Sequence, residues 1–246
     1  MAKACVMVGW DDVPHLSEKQ KETTLSGIPP WQREARTTGF PSLGAGAIYP
    51  LPEGDILVNP YIIPEHWRRG YGLDPGWNRT AAIFVACDPD GPGMVAYADY
   101  YRGLAEPAVH AMALRAMGAD WMTGVIDPAA LKVRGLKGEV LLDVYRGMGL
   151  TLQIADNSVE TGLLKTWNML STNQLKIFRS LNDTRNEMRL YRRNEKGEVV
   201  KENDHLMDAL RYFVMSGKQW SKLKSSTDAL GGRPWYSWQP SEVWSG

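Results

Sequence analysis

The sequence predicts an α/β domain: a mixed β-sheet flanked by helices, preceded by an irregular arm. Three observations lead there. Residues 71–101 hold three strand-like apolar runs in succession, the last two joined by the loop Asp88-Pro-Asp-Gly-Pro-Gly. Helical and strand-like periods then alternate to about residue 215. With 43% hydrophobic and 23% charged residues among 246, the composition is that of a packed domain rather than a disordered chain.

Residues 1–69 read as an arm or linker. A strand-like start at 4–8 precedes a helix over 16–28, supported by Ser17 and the spacing of Glu18, Lys21 and Glu22 and stopped by Pro29-Pro30. Pro30 can instead open a second short helix carrying Trp31, Arg33, Glu34 and Arg36. From Gly39 to Asp55 the residues are turn formers.

The domain proper spans residues 70–218. A short strand at 71–74 closes in Asp74-Pro75. A strand at 81–87 and its hairpin partner at 94–101 follow, then an amphipathic helix at 106–117. The strand 123–126 ends in Asp127-Pro128. Next come a helix at 138–148, a strand at 150–155, and a helix at 158–170 with Ser158 as its cap. A strand at 175–178, a helix at 182–193 and a last helix at 204–215 complete it. Residues 219–246, rich in Ser, Gly, Pro and Trp, read as a flexible tail, whose Trp235, Trp238 and Trp244 could stack on bases or dock on a partner.

Charge and composition exclude several classes. With 28 basic and 28 acidic residues the net charge is +0, which argues against a nucleic-acid coat but leaves room for an enzyme with a local basic strip. Cys5 and Cys87 cannot build a disulfide framework or a cysteine zinc site, which fits a reducing compartment. No apolar run approaches the roughly 20 residues of a membrane span, and no signal segment opens the chain. No Gly-x-x-x-x-Gly-Lys-Ser/Thr loop is present, so ATP hydrolysis by that route is not expected. The four histidines lack zinc spacing. Asp88-x-Asp90 imitates a calcium loop, but Pro92 holds a ligand position and a hairpin turn is the simpler reading.

What remains is carboxylates at strand ends. Asp74 and Asp127 each follow an apolar strand and precede a proline. If those strands are parallel neighbours, both carboxylates converge on one edge, where open α/β sheets gather their chemistry. Asp204 and Asp208, one helical turn apart in Asp204-His205-Leu-Met-Asp208, share a helix face. Three hard oxygen ligands suit Mg2+ or Mn2+, and two such ions can promote phosphodiester cleavage. Each residue also has a plain structural reading. Asp74 and Asp127 can cap turns, Asp204 can cap its helix, and His205 can be a surface residue. Asp208, inside the helix, has no capping task and reads as a ligand whose loss costs little stability.

Tyr71-Gly-Leu-Asp74-Pro-Gly-Trp-Asn, Val-Ile-Asp127-Pro, Asp156-Asn-Ser-Val-Glu160-x-Gly and Asn203-Asp-His-Leu-Met-Asp208-Ala-Leu-Arg-Tyr resemble the nuclease domain of tailed-phage terminase large subunits. The arm agrees: Pro29-Pro30-x-Gln-Arg-Glu-Ala-Arg, followed by Gly44-x-Gly, looks like the segment before that nuclease. The resemblance covers roughly residues 8–217 and implies an RNase H-like fold that cuts concatemeric double-stranded phage DNA with two Mg2+ or Mn2+ ions. It makes Asp74, Asp127 and Asp208 the metal-binding carboxylates, with Asp204 the alternative on the last helix and His205 an auxiliary near the metal. It also implies a terminase small subunit and capsid portal as partners, a packaging ATPase normally on the same chain, no membrane, and the host cytoplasm as location. The chain looks like a separated C-terminal part.

DNA needs positive charge. Lys132, Arg134 and Lys137 just after Asp127 form one candidate surface; Arg185 and Arg189, with Arg192, Arg193 and Lys196, form another. Arg68 and Arg69 precede the first strand. Each group can equally be a solvated face. Two other readings stay open: a resolvase or transposase of the same fold, and a non-catalytic module that docks the motor on the portal and holds DNA.

Overall fold

The computed structural model describes residues 17–26, 46–133, 138–194 and 196–225, with the single positions 10 and 37. The expected strand at 4–8, the second arm helix and residues 226–246 of the tail lie outside the described residues, as do Arg134 and Lys137. The first part of the expected tail is instead tied to the sheet, Lys222 exchanging backbone hydrogen bonds with Arg69 at 2.7 and 2.9 Å.

A seven-stranded mixed sheet forms the centre. β2 (Arg68–Asp74), β3 (Thr80–Cys87) and β4 (Met94–Arg102) make an antiparallel meander. β5 (Thr123–Ile126) and β6 (Thr151–Ile154) run parallel to β2 on one side. On the other, β7 (Leu175–Phe178) and β1 (Leu57–Val58) run parallel to β4. The order is β1-β7-β4-β3-β2-β5-β6. β3, Thr-Ala-Ala-Ile-Phe-Val-Ala-Cys, is buried at every position, as a central strand covered on both faces must be.

The stretch before residue 70 contributes more than the turn chemistry suggested. A one-turn helix, α2 (Glu53–Ile56), leads into β1, and Tyr49, Ile56, Leu57 and Ile63 join the core. Only two residues pair in β1, too few to leave a periodic signal. Upstream, α1 (Glu18–Ser26) opens with a reciprocal cap: Ser17 N donates to Gln20 Oε1 at 3.0 Å, and Gln20 N to Ser17 Oγ at 3.4 Å.

Further helices are α3 (Pro107–Leu114), α4 (Leu141–Gly147), α5 (Val159–Ser171), α6 (Asn182–Leu190) and α7 (His205–Tyr212). The last runs on into a wider π turn, Phe213–Gly217. α6 stops three residues short of expectation because Arg192 and Arg193 turn into bridges with Ala47 and Val199. Ser158 precedes α5 without capping it; its Oγ and N both donate to Asp156 Oδ1, at 2.6 and 2.9 Å. The starts of α6 and α7 are instead held from outside. Asp99 on β4 accepts from Thr184 N and Oγ1 at 3.1 and 2.7 Å. Glu187 on α6 accepts from Leu206 N at 2.5 Å. β4 thus positions α6, and α6 positions α7.

α7 lies directly on β2. A Cβ at Gly72 would sit 1.9 Å from Ala209 O, so only glycine permits this approach. Among the described residues no helix is long and apolar enough to cross a membrane.

Candidate active site

β2 and β5 are parallel neighbours with Leu73 opposite Ile126, and Asp127 N donates to Leu73 O at 3.2 Å. Asp74, the last residue of β2, and Asp127, the first after β5, therefore stand side by side at one sheet edge. The prolines that follow them end both strands there. Asp127 also caps the short 3-10 turn Pro128–Leu131: its Oδ1 accepts from Ala129 N at 3.1 Å and from Asn157 Nδ2 at 3.4 Å.

Asp74 Oδ2 lies 2.9 Å from His205 Nδ1, at the start of α7. Burial pushes the Asp74 carboxyl above its ordinary range; the His205 hydrogen bond opposes the rise, and the nearby charges of Asp208 and Asp127 add to it. The same bond to Asp74 pushes His205 up, against the effect of its own burial.

Asp204 and Asp208 depart from expectation. Asp204 occupies the cap position of α7, yet its side chain makes no capping bond. That task falls to Glu187, and Asp204 Oδ2 sits 3.1 Å from Lys201 Nζ. Asp208, read as having no part in the core, is 8% exposed and fully engaged. Its Oδ1 is 3.1 Å from Arg211 Nη2 and accepts from Tyr191 Oη at 3.3 Å; its Oδ2 is 3.0 Å from Lys201 Nζ. Arg211, 1% exposed, also reaches Asn157 Oδ1 at 3.4 Å and lies over the Tyr212 ring at 4.7 Å. Gly162 on α5 makes room for it, since a Cβ there would fall 2.5 Å from Arg211 Cγ.

Lys132 is exposed just beyond the turn that Asp127 caps. Arg185 and Arg189 both pair with Glu53, Arg185 at 3.3 Å, and so fasten α6 to α2. Sequence reasoning missed Glu187, Lys201, Arg211 and Tyr212. Burial, then the charges of Asp208, Asp74 and Asp127, push the Tyr212 hydroxyl far up. Arg211 and Tyr212 stood in the quoted Asp208-Ala-Leu-Arg-Tyr motif; Lys201 and Glu187 left no signal.

The edge fits a divalent cation through Asp74 and Asp127. These are hard oxygen donors at the ends of adjacent strands, and burial first, with the charges of Asp208 and Asp127 adding to it, disfavours the ionised form of Asp74 in the absence of a cation. Asp74 Oδ1 and Asp127 Oδ2 carry no hydrogen bond or ion pair among the described residues. Asp208 is within electrostatic reach, but its oxygens already face Arg211, Lys201 and Tyr191. Accordingly, no three His, Cys, Asp or Glu among the described residues form a ready-made metal cage.

A model of the family described as "Terminase RNaseH-like domain" matches residues 71–216. The chain is 31% identical over 219 residues to the terminase large subunits of Salmonella phage P22 and Enterobacteria phage LP7. The match covers 83% of this chain and 42% and 44% of those proteins. The chain thus spans less than half the length of these relatives. The solved nuclease domain of the P22 large terminase superposes with a TM-score of 0.66 at 26% identity, over 73% of this chain and 96% of that one. The large terminase nuclease from thermophilic phage G20c, solved with bound magnesium, gives 0.52 at 15%, over 71% and 99%, a likeness of fold alone.

Proposed function

The chain belongs to the terminase RNase H-like domain family and has its fold. From that premise we propose that it is a divalent-metal-dependent endonuclease cutting concatemeric double-stranded viral DNA during genome packaging. The observation that carries this reading is the parallel pairing of β2 with β5, which sets Asp74 and Asp127 together at one edge. Those two residues, with Asp208 on α7, would hold Mg2+ or Mn2+. Held by these residues, divalent ions would supply Lewis-acid chemistry for phosphodiester hydrolysis. The magnesium in the G20c nuclease supports that choice of metal.

The chain's own groups prepare the edge. Ala129 N and Asn157 fix one oxygen of Asp127 and leave the other for the ion. His205 orients Asp74 through the hydrogen bond between its Nδ1 and Asp74 Oδ2. Asp208 serves on the condition that Lys201 yields its carboxylate; Asp204, whose Oδ2 lies 3.1 Å from Lys201 Nζ, is the reserve ligand. Lys132, with Arg134 and Lys137, contacts phosphates. By analogy with the relatives, the chain works beside a packaging ATPase, a small subunit and the capsid portal, in the host cytoplasm.

The test is nicking of supercoiled plasmid by the 246-residue chain. Cleavage should require Mn2+ or Mg2+, stop in EDTA, show little sequence preference, and vanish in Asp74→Asn and Asp127→Asn variants that melt like wild type. Cleavage that survives EDTA or both substitutions overturns the reading.

A further inference from the structure

The same sheet edge carries a second feature. The β2–β3 turn, residues 75–79, and the end of β4 meet there, since Thr80 pairs with Arg102. Leu104 N donates to Trp77 O at 2.8 Å, and a Cβ at Gly103 would fall 1.9 Å from Asn78 O, so the two segments form one tip. On it Trp77 is 61% and Leu104 72% exposed. Single exposed apolar side chains need no explanation, but here two adjoin three residues from Asp74.

Leu104 has φ 54°, left-handed backbone that costs a branched L-residue free energy. The tip is braced for it from behind: His110, buried, bonds Ala105 O through Nε2 at 3.1 Å and Tyr100 Oη through Nδ1 at 2.8 Å. The strain therefore holds an apolar side chain out in solvent rather than folding it away.

Two arginines flank this pair. Arg79 lies over the Tyr101 ring at 5.0 Å, and Arg102 is exposed at the end of β4. Neither has an acidic partner among the described residues, whereas Arg185, Arg189 and Arg211 each have one. Cations with no acidic partner among the described residues, beside an edge of carboxylates, complement a polyanion that must approach that edge.

Resting on the nuclease reading above, we propose that this tip grips the duplex beside the cut. In this arrangement Trp77 and Leu104 press on base or sugar faces, and Arg79 and Arg102 hold phosphates. The tip would position the strand over Asp74 without entering the chemistry.

Anisotropy of a short fluorescein-labelled duplex, titrated with the intact chain in EDTA over a salt series, separates the parts. Trp77→Ala should weaken binding roughly tenfold with the salt slope unchanged, while Trp77→Phe, which keeps an aromatic face, stays near wild type. Arg79→Ala with Arg102→Ala should flatten the slope of log K against log salt by about 2. If Trp77→Ala and the arginine pair bind as wild type with its slope, the tip is not a DNA surface and serves a protein partner at most; plasmid cleavage, measured separately, then still stands. If the wild-type chain binds no duplex, the nuclease reading fails and this proposal with it.

Discussion

Asp208→Asn separates a carboxylate that only binds metal from one that also holds the fold. A pure ligand, standing near Asp74 and Asp127 without metal, would repel both, and neutralising it would leave the metal-free protein as stable or more so. The contacts of Asp208 say otherwise. Arg211 is 1% exposed and has no other carboxylate partner among the described residues, so removing the charge opposite it strands a buried guanidinium. Breaking a buried pair from one side costs about 3–5 kcal/mol. The low end applies, because asparagine still offers an oxygen to Arg211 and Tyr191. The Lys201 arm adds less than about 1 kcal/mol, its side chain being 58% exposed. A loss of about 3 kcal/mol at roughly 2–4 °C per kcal/mol lowers Tm by about 6–12 °C. Thermal melts in EDTA of wild type, Asp208→Asn and Asp74→Asn measure it. Asp74→Asn should melt at or above wild type, since burial and two like charges already disfavour its ionised form. An Asp208→Asn protein that melts at or above wild type would refute the structural role of the Asp208–Arg211 pair.

Three further outcomes follow from the same geometry. Metal-free stability should fall as pH rises, first above the ordinary Asp range and again above about 6.5. The folded pKa values of Asp74 and His205 are both raised, so the native state binds more protons than the unfolded chain in those windows, and stability is lost as each deprotonates. Urea titrations across pH check this, and His205→Gln should remove the upper step. Gly72→Ala drives a methyl into Ala209 O and should cost at least the usual overpacking penalty of about 1–3 kcal/mol, abolishing cleavage because α7 shifts off β2; a near-wild-type melt with activity would contradict the packing. Arg185→Ala with Arg189→Ala should lower Tm modestly by freeing Glu53 yet leave the salt slope of DNA binding unchanged, whereas a flatter slope would restore them as phosphate contacts.

What could be read from sequence was local. The strands at 71–74, 81–87, 94–101, 123–126 and 175–178 announced themselves because a buried strand needs consecutive apolar residues, and the proline after Asp74 and Asp127 fixed where two of them stop. Whether those two lay next to each other was a condition that sequence could state but not meet. β1 escaped notice because two residues carry no period, and its place in the sheet is decided by pairing with β7, more than a hundred residues away.

The last helix shows why the site was only half legible. An aspartate at a helix start looks like a cap by its position, yet which carboxylate caps α7 depends on how α6 is docked, and α6 is docked by Asp99 from β4. With Glu187 in the capping position, Asp204 is released to face Lys201, and Asp208, one turn on, meets Arg211, for which Gly162 has cleared space. Asp208 and Arg211 share a face of α7 at i,i+3, but Asp99, Glu187, Lys201 and Gly162 lie on other segments, where no periodicity reveals them. The consequence is chemical. The backbone of Asp74 and of Asp127 is placed by the pairing of β2 with β5, whereas Asp208 reaches the edge only as accurately as β4, α6 and α5 set α7. The carboxylate most dependent on distant packing is also the one whose charge the protein has already balanced with its own cations.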